Sequence, residues 1–398
     1  MLRERLGSAR GTDTPWYRGW NLTAEERAVF RATTLASQAA KRRALSGECD
    51  QPKHPINCPR LDINFLMPQR PPNGIRALSL FSGGGGFDIG FERAGFSHLA
   101  SYEILEDAAE ILKAARPEWS VFGGREGDVT GADWSQYHAK VDVLHGGPPC
   151  QPFSHAGRRN GADDVRDMVP EFVRAVKCTE PRSFVFENVL GLKTRQFETY
   201  IRHSIIGPLS KSYKIHTFSL DAADYGLPQR RRRVFFVGFR DPAISDVFFP
   251  PLPTHCQAEF SGKLRDWSLP RTMGVREALG LPDIGFDAVA PTIRSGLTGP
   301  RHTTSILNSV SALKVWDQLR IWPNGVALTR ESAKAYVVNN GHFRLSVPDC
   351  MVIQGFPGDW PIGAPVYFAL GLIGNSVAPP VAYHLALAVG AALTRANF

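Results

Sequence analysis

Gly146-Gly147-Pro148-Pro149-Cys150-Gln151-Pro152-Phe153-Ser154 follows the apolar run Val141-Asp142-Val143-Leu144-His145. The run reads as a short buried strand. A cysteine therefore stands at the carboxyl end of a strand, in a loop stiffened by prolines and cleared of side chains by glycines. Open α/β sheets carry their chemistry at that end. A thiolate is intrinsically nucleophilic near neutral pH, so Cys150 is a candidate nucleophile. The plainer alternative is a buried thiol in a proline-rich turn, and four further segments weigh against it.

The first is Phe81-Ser82-Gly83-Gly84-Gly85-Gly86-Phe87, which follows the apolar stretch Arg76-Ala77-Leu78-Ser79-Leu80 and opens a helical pattern. A strand, a glycine loop and a helix allow backbone to approach a nucleotide-like ligand closely. The loop has no GxxxxGK[ST] spacing, which argues against a P-loop. Glu103, in Ser101-Tyr102-Glu103, and Asp128, in Gly127-Asp128-Val129, are strand-end acids. Either alone could equally be a helix cap. The fourth segment is Phe184-Val185-Phe186-Glu187-Asn188-Val189, a strand ending in a carboxylate and an amide. Burial would keep such a glutamate protonated and able to serve a ring nitrogen. Gln229-Arg230-Arg231-Arg232-Arg233 then leads into Val234-Phe235-Phe236-Val237-Gly238. In an extended chain Arg231 and Arg233 share one side and Arg230 and Arg232 the other. The second pair reads as well as a solvated basic face.

In this order, and followed by Arg344-Leu345-Ser346-Val347-Pro348-Asp349, Gln354-Gly355-Phe356-Pro357 and Gly374-Asn375-Ser376-Val377-Ala378-Pro379-Pro380, these segments resemble the DNA (cytosine-5)-methyltransferase family. The resemblance covers roughly residues 75–240 and 343–398. It departs at Asp164-Val165-Arg166-Asp167-Met168-Val169, where Asp167 and Val169 stand in place of the family's glycine and following apolar pair.

The resemblance implies an α/β fold: a mostly parallel, Rossmann-like S-adenosylmethionine-dependent methyltransferase sheet with helices on both faces, plus a smaller irregular target-recognition domain. It implies Cys150 as the nucleophile toward C6 of cytosine, Glu187 at N3 and the exocyclic amine, Arg233 at O2, and Arg231 nearby as support for the site or a phosphate. For S-adenosyl-L-methionine it implies Phe81 against the adenine, Gly83, Gly85 and Gly86 around the methionine part, Glu103 at the ribose, and Asp128 and Val129 at the adenine. Ile104, Gly147, Pro149 and Val169 join that site, and Asn375, Ser376 and Val377 close it. Gln151, Ser154, Arg294 and Arg301 would face double-stranded DNA. The target base would leave the duplex to reach the thiol. No metal is implied.

The chain of 398 residues suits two domains. Its net charge of +8 suits a polyanionic partner. Cys49, Cys58, Cys150, Cys178, Cys256 and Cys350 form no CxxC pair, which argues against a zinc ribbon and suggests a reducing compartment. No signal-peptide pattern opens the chain, and no run reads as a membrane span. The expected division is an N-terminal extension over 1–74, a catalytic domain over 75–240 and 343–398, and a target-recognition domain over 241–342. In the extension, Thr23-Ala24-Glu25-Glu26 reads as a capping box. The helix it opens carries Val29, Phe30, Leu35 and Leu45 on one side and ends near Gly47, with Lys41-Arg42-Arg43 in its last turn. It is either docked on the catalytic domain or a DNA-contacting arm. Residues 48–74 read as a linker laid over the surface. The stretch 291–302, rich in Thr, Ser, Arg and Gly, suits phosphate or base contacts.

The expected function is a sequence-specific DNA methyltransferase, the modification enzyme of a bacterial restriction–modification system, acting as a cytoplasmic, DNA-associated monomer beside a restriction endonuclease that reads the same site. A tRNA cytosine-5 methyltransferase on the same scaffold is the alternative, though the Cys-Phe-Thr tripeptide of that branch is absent. A non-catalytic DNA-binding relative is the other, though every catalytic position is filled.

Overall fold

The computed structural model describes residues 55–149, 167–257, 268–297, 302–334, 341–363 and 365–395, together with scattered residues between 24 and 39. Strands β1 (Arg76–Leu80), β2 (Ser97–Glu103), β3 (Val121–Gly123), β4 (Val143–Gly146), β5 (Ser183–Val189), β6 (Lys214–Asp221) and β7 (Arg232–Phe239) form a seven-stranded sheet in the order β3-β2-β1-β4-β5-β7-β6. The first five are parallel, and β7 runs antiparallel between β5 and β6. The helices that matter below are α1 (Gly86–Arg93), α2 (Glu106–Ala115), α3 (Val169–Thr179), α4 (Val310–Gln318), α5 (Val347–Gln354), α6 (Val366–Asn375) and α7 (Pro379–Arg395). The chain order reverses between β1 and β4, whose carboxyl ends pair as Leu80 with Gly146. A crevice opens where neighbouring strands send their loops in opposite directions, so this switch point is where a ligand binds.

The central strands are apolar throughout because both faces are covered. Ala77, Val143, Val185, Val237 and Phe239 share a core with Phe87 and Phe91 of α1 and with Leu385 and Val389 of α7. Leu78, Leu80, Leu144, Phe184, Phe186, Val234 and Phe236 face a second core with Phe172, Val173 and Val176 of α3. The expected α/β architecture is present.

Two expected boundaries change. The region 241–342 has no separate core among the described residues. Ile244, Phe248, Val275, Leu279, Ile293, Ile306 and Trp316 belong to the same cluster as the sheet and the C-terminal helices. Strand β8 (Ile321–Ala327) also pairs with β9 (Phe343–Ser346), which leads into α5 and joins the two sides of the expected boundary. The apolar stretch Val366–Arg395 is long and apolar enough for a membrane span by composition. It is 72% buried, however, and serves as core.

The second change concerns the expected surface linker. Residues 55–67 pack into the catalytic body, with Met67 fully buried and Ile63 and Leu66 in the main cluster. The Arg60 amide donates to the Ala278 carbonyl at 2.9 Å. Asn57, 8% exposed, donates to the Leu279 carbonyl and to Asp349 Oδ1, each at 3.0 Å. Asp349 is itself fully buried, caps α5 through Ser346 and pairs with Arg330 at 2.9 Å. The described residues between 24 and 39 are helical, as the capping pattern predicts, and leave Leu35 54% exposed. Glu26, Val29, Phe30 and Leu45 lie outside the described residues.

Asn57→Ala takes one donor from a buried carboxylate and one from a carbonyl. Urea denaturation should show an unfolding free energy lower by about 1–3 kcal/mol, the usual cost of stranding such groups. A change within about 0.5 kcal/mol would place the segment on the surface.

Candidate active site

The loop after β1 forms one wall of the switch-point crevice. Phe81 holds φ +57°, a strained conformation for a bulky residue, and half-buries its ring at the edge of the second core. Gly83 follows at φ +53°, with open space where its side chain would be. Its amide donates to Glu103 Oε2 at 2.6 Å, and the Leu105 amide donates to Oε1 at 2.8 Å. Both bonds fix the Glu103 carboxylate at the end of β2, buried to 6% exposure. Burial pushes this carboxyl above its ordinary range, and the two amides pull it back. Ile104, 38% exposed, presents an apolar face beside it. Asp128 accepts from the amide and hydroxyl of Thr130 through Oδ1. Val129 is buried in the second core.

The other loop glycines meet protein. A Cβ on Gly85 would stand 2.7 Å from Leu112 and 2.9 Å from Trp360, and one on Gly86 would stand 2.1 Å from the Val377 carbonyl. Ser376 Oγ lies 3.0 Å from the equivalent point on Gly84, and Trp360 Nε1 donates to the Gly84 carbonyl at 2.9 Å. Ser376 and Val377 thus back the glycine loop, while Asn375 is exposed beside them. The resemblance had put Gly85 and Gly86 around the cofactor; here the space beside each is filled by the chain itself.

The reacting edge lies one strand over. Gly147 precedes a buried Pro148 and an exposed Pro149. A Cβ on Gly147 would come within 2.8 Å of Glu187 Oε2, so only glycine lets the loop pass the carboxylate. Asn188 Nδ2 donates to the Pro148 carbonyl at 3.3 Å and ties the loop to β5. Glu187, 7% exposed, pairs with Arg233 Nε at 3.0 Å. Burial pushes the Glu187 carboxyl up, and Arg233, then Arg231, pull it back without cancelling the rise. A carboxyl with raised proton affinity and a guanidinium therefore stand side by side here. Cys150, Gln151 and Ser154 of this loop, Asp164, Val165 and Arg166 of its far end, and Arg301 lie outside the described residues.

Arg231 and Val169 are both buried. Arg231 shares a face with Arg233 but is 2% exposed. Its Nη2 donates to the carbonyls of Gly374 at 2.7 Å and Ser376 at 2.8 Å, and its Nη1 to Ile293 at 3.4 Å. Its charge also acts on Glu187 and lowers that carboxyl's proton affinity. Val169 is fully buried in the second core, with its amide donating to Asp167 Oδ1, and has no exposed surface to meet an adenine. Its apolar side chain gains more from Phe172 and its neighbours than from a ligand edge.

Sequence reasoning missed the residues that complete the Arg231 node. Gln229 Nε2 donates to Gln354 Oε1 at 2.8 Å and to the Ile353 carbonyl, and its Oε1 accepts from the Ile293 amide at 2.9 Å. Gln354 Nε2 donates to the Ser376 carbonyl at 2.8 Å. The signal available was an amide opening each of the segments QRRRR and QGFP. Arg294 is exposed, on the strip that runs past this node.

The sequence profile described as C-5 cytosine-specific DNA methylase matches residues 75–279 and 291–391. The Type II methyltransferase M.NgoMIV of Neisseria gonorrhoeae is 33% identical over 329 residues, covering 81% of this chain and 99% of that protein. The Type II methyltransferase M1.HphI of Haemophilus parahaemolyticus is 32% identical over 338 residues, 78% of this chain and 86% of that protein. Among solved structures, a DNMT2 of Spodoptera frugiperda shares the fold with a TM-score of 0.52 at 18% identity, covering 79% of this chain and 99% of that one. A DNA modification methyltransferase encoded within a prophage of E. coli has a TM-score of 0.50 at 22% identity, covering 81% and 100%.

Arg231→Met should lower the unfolding free energy by about 1.5–3 kcal/mol, because two buried carbonyls lose a charged donor. It should weaken methyl-donor binding in calorimetry by the same disruption. An unchanged stability with loss of turnover alone would return Arg231 to the reacting centre. Arg233→Met removes the main influence that lowers Glu187, so the carboxyl should titrate at higher pH by carbon-detected NMR. Because the folded value lies above the unfolded one, Glu187 stabilises the fold below the ordinary carboxylate range and that contribution fades as pH rises through the folded value. The variant should shift the upper end of this window upward; an unmoved or lowered titration would contradict the coupling.

Proposed function

We propose that this chain, which belongs to the C-5 cytosine-specific DNA methylase family, is the modification methyltransferase of a restriction–modification system, as its Type II relatives are named. The single observation that supports the catalytic assignment best is the Glu187–Arg233 pair, held against Gly147 at the mouth of the loop that carries Cys150. The pair supports a reading in which Glu187 serves N3 and Arg233 serves O2 of a flipped cytosine.

The residues of the crevice fit S-adenosylmethionine. Gly83 offers open space, Phe81 and Ile104 offer apolar faces, Glu103 offers an oriented carboxylate, and Asp128 offers a second one. When bound, the cofactor supplies an electrophilic methyl group. The chain does the rest. Cys150 thiolate adds to C6 of the cytosine, and the ring electron pair moves toward N3. Glu187 meets that charge with its proton, and Arg233 donates to O2. C5 becomes electron-rich enough to accept the methyl group. The N3 proton returns to Glu187 as the methyl group is taken up, and water then accepts the C5 proton as the C6–sulfur bond breaks, which releases the Cys150 thiolate and restores the ring. Preorganised groups of this kind contribute most of a typical rate enhancement because they need no reorganisation. Extruding the base costs about a few kcal/mol, offset by contacts to the duplex.

Arg294 and Arg301, with Gln151 and Ser154, are the residues we assign to double-stranded DNA. Residues 290–297 pass beside the Arg231 node, since Gly374 abuts Ser295 and the Arg294 amide donates to the Ile306 carbonyl. In this reading the enzyme works as a monomer on DNA in the bacterial cytoplasm, and a restriction endonuclease shares its site.

Cys150→Ser should abolish methyl transfer to duplex DNA while binding of DNA and cofactor persists. The wild type should form a denaturant-resistant adduct with 5-fluorocytosine DNA. Turnover by the serine variant, or failure of the adduct, would overturn the nucleophile. Bisulfite sequencing of DNA from expressing cells reports the activity and the target sequence together.

A further inference from the structure

The arginine run 230–233 divides by face. Arg231 and Arg233 turn inward to the Ser376 carbonyl and to Glu187. Arg230 and Arg232 are exposed, and they line a groove of about 350 Å³ with Ser219, Leu220, Asp221, Asp224 and Gln257. The groove lies at the reacting end of the sheet. Arg232 pairs across the ladder with Asp221, and its neighbour Arg233 pairs with Val189, just past Glu187.

Arg230 is oriented from two sides. Its amide donates to the Ala290 carbonyl at 2.8 Å, and its carbonyl accepts from the Thr292 hydroxyl at 2.6 Å. Its Nη2 donates to Gln257 Oε1 at 3.0 Å, and Gln257 Nε2 donates to Asp224 Oδ1 at 2.8 Å. One side of the guanidinium is thus anchored, and its other N–H groups are available to an anion among the described residues. Asp221 and Asp224 share the groove with the two arginines, and the charges of both Arg230 and Arg232 act on Asp224. Asp221, 9% exposed, accepts the amides of Arg231 at 2.9 Å and Ala223 at 3.4 Å, while Asp224 holds Gln257. A solvated basic face needs no such anchoring.

We propose that Arg230 and Arg232 grip a DNA backbone phosphate beside the flipped cytosine. The proposal rests on the DNA-methylating reading above. A planar guanidinium held at one edge suits bidentate phosphate contact. Arg230, with Arg232 beside it in the groove, would hold the backbone while the base swings inward, without reading sequence.

The test is equilibrium binding of the full chain to duplexes with and without its methylation site, over a salt series. Arg230→Gln and Arg232→Gln should each weaken both duplexes alike. Each should reduce the slope of log affinity against log salt by about 0.9, the contribution of one phosphate contact. Arg240→Gln is the control. It lies at the opposite end of β7, paired with Glu180 on the surface, and should leave the slope unchanged. An unchanged slope in the first two variants, or a loss confined to one base pair of the site, would overturn the phosphate assignment. Thermal melts that match wild type show that an altered slope is not misfolding, and Arg232→Lys, which keeps the charge, should restore most of it. Wild-type protein that neither binds nor methylates duplex DNA would instead sink the underlying reading.

Discussion

The buried guanidinium of Arg231 joins the two ends of the catalytic body. It reaches 143 residues along the chain to the Gly374 carbonyl and 145 to that of Ser376. A cation at 2% exposure is costly to bury unless several acceptors replace its water. Three carbonyls do so, and they come from segments with no other reason to converge. Once Ser376 is held, Val377 presses its carbonyl against Gly86 and fixes the floor of the glycine loop. The wall of the crevice therefore depends on a buried residue that enters from β7's leading end.

The same face carries the chemistry. Odd-numbered positions of β5 and β7 point to the first core, so Glu187 and Arg233 emerge where that core ends and the crevice begins. Their environment serves two needs. Low exposure raises the proton affinity of Glu187, which an acid toward N3 needs, and the adjacent cation keeps that rise from removing the charge altogether. Gly147 makes the juxtaposition sterically possible, because any side chain there would displace the carboxylate by collision at 2.8 Å.

The sheet, its loop motifs and the face on which Arg231 and Arg233 lie were legible from the sequence, because strand periodicity and glycine placement are local signals. The roles of Gln229, Gln354, Trp360 and Asn57 were not. Each acts by hydrogen bonding to a partner more than 100 residues away, a relation that spacing does not encode. Residues 48–74 read as a linker for the same reason. Their prolines and amides look like surface, yet Met67 and Asn57 are buried by elements that arrive much later in the chain. Val169 shows the converse failure. A position carried over by resemblance met a fully packed core, and burial decided its role.

The region 241–342, expected as a target-recognition domain, packs its apolar residues into the main core. Prolines and glycines break its pattern, which suggests a separate irregular lobe. The apolar residues between the breaks are the ones that matter energetically, and Ile293, Ile306, Trp316 and Ile321 all reach the main core. At roughly 1.5–3 kcal/mol for each fully buried large apolar side chain, these four contribute enough to outweigh any gain from independent packing. The strip 290–294 is thereby fastened beside the arginine run by Gln229, Arg230 and Arg231 at once. Neither segment can shift without breaking buried hydrogen bonds of the other.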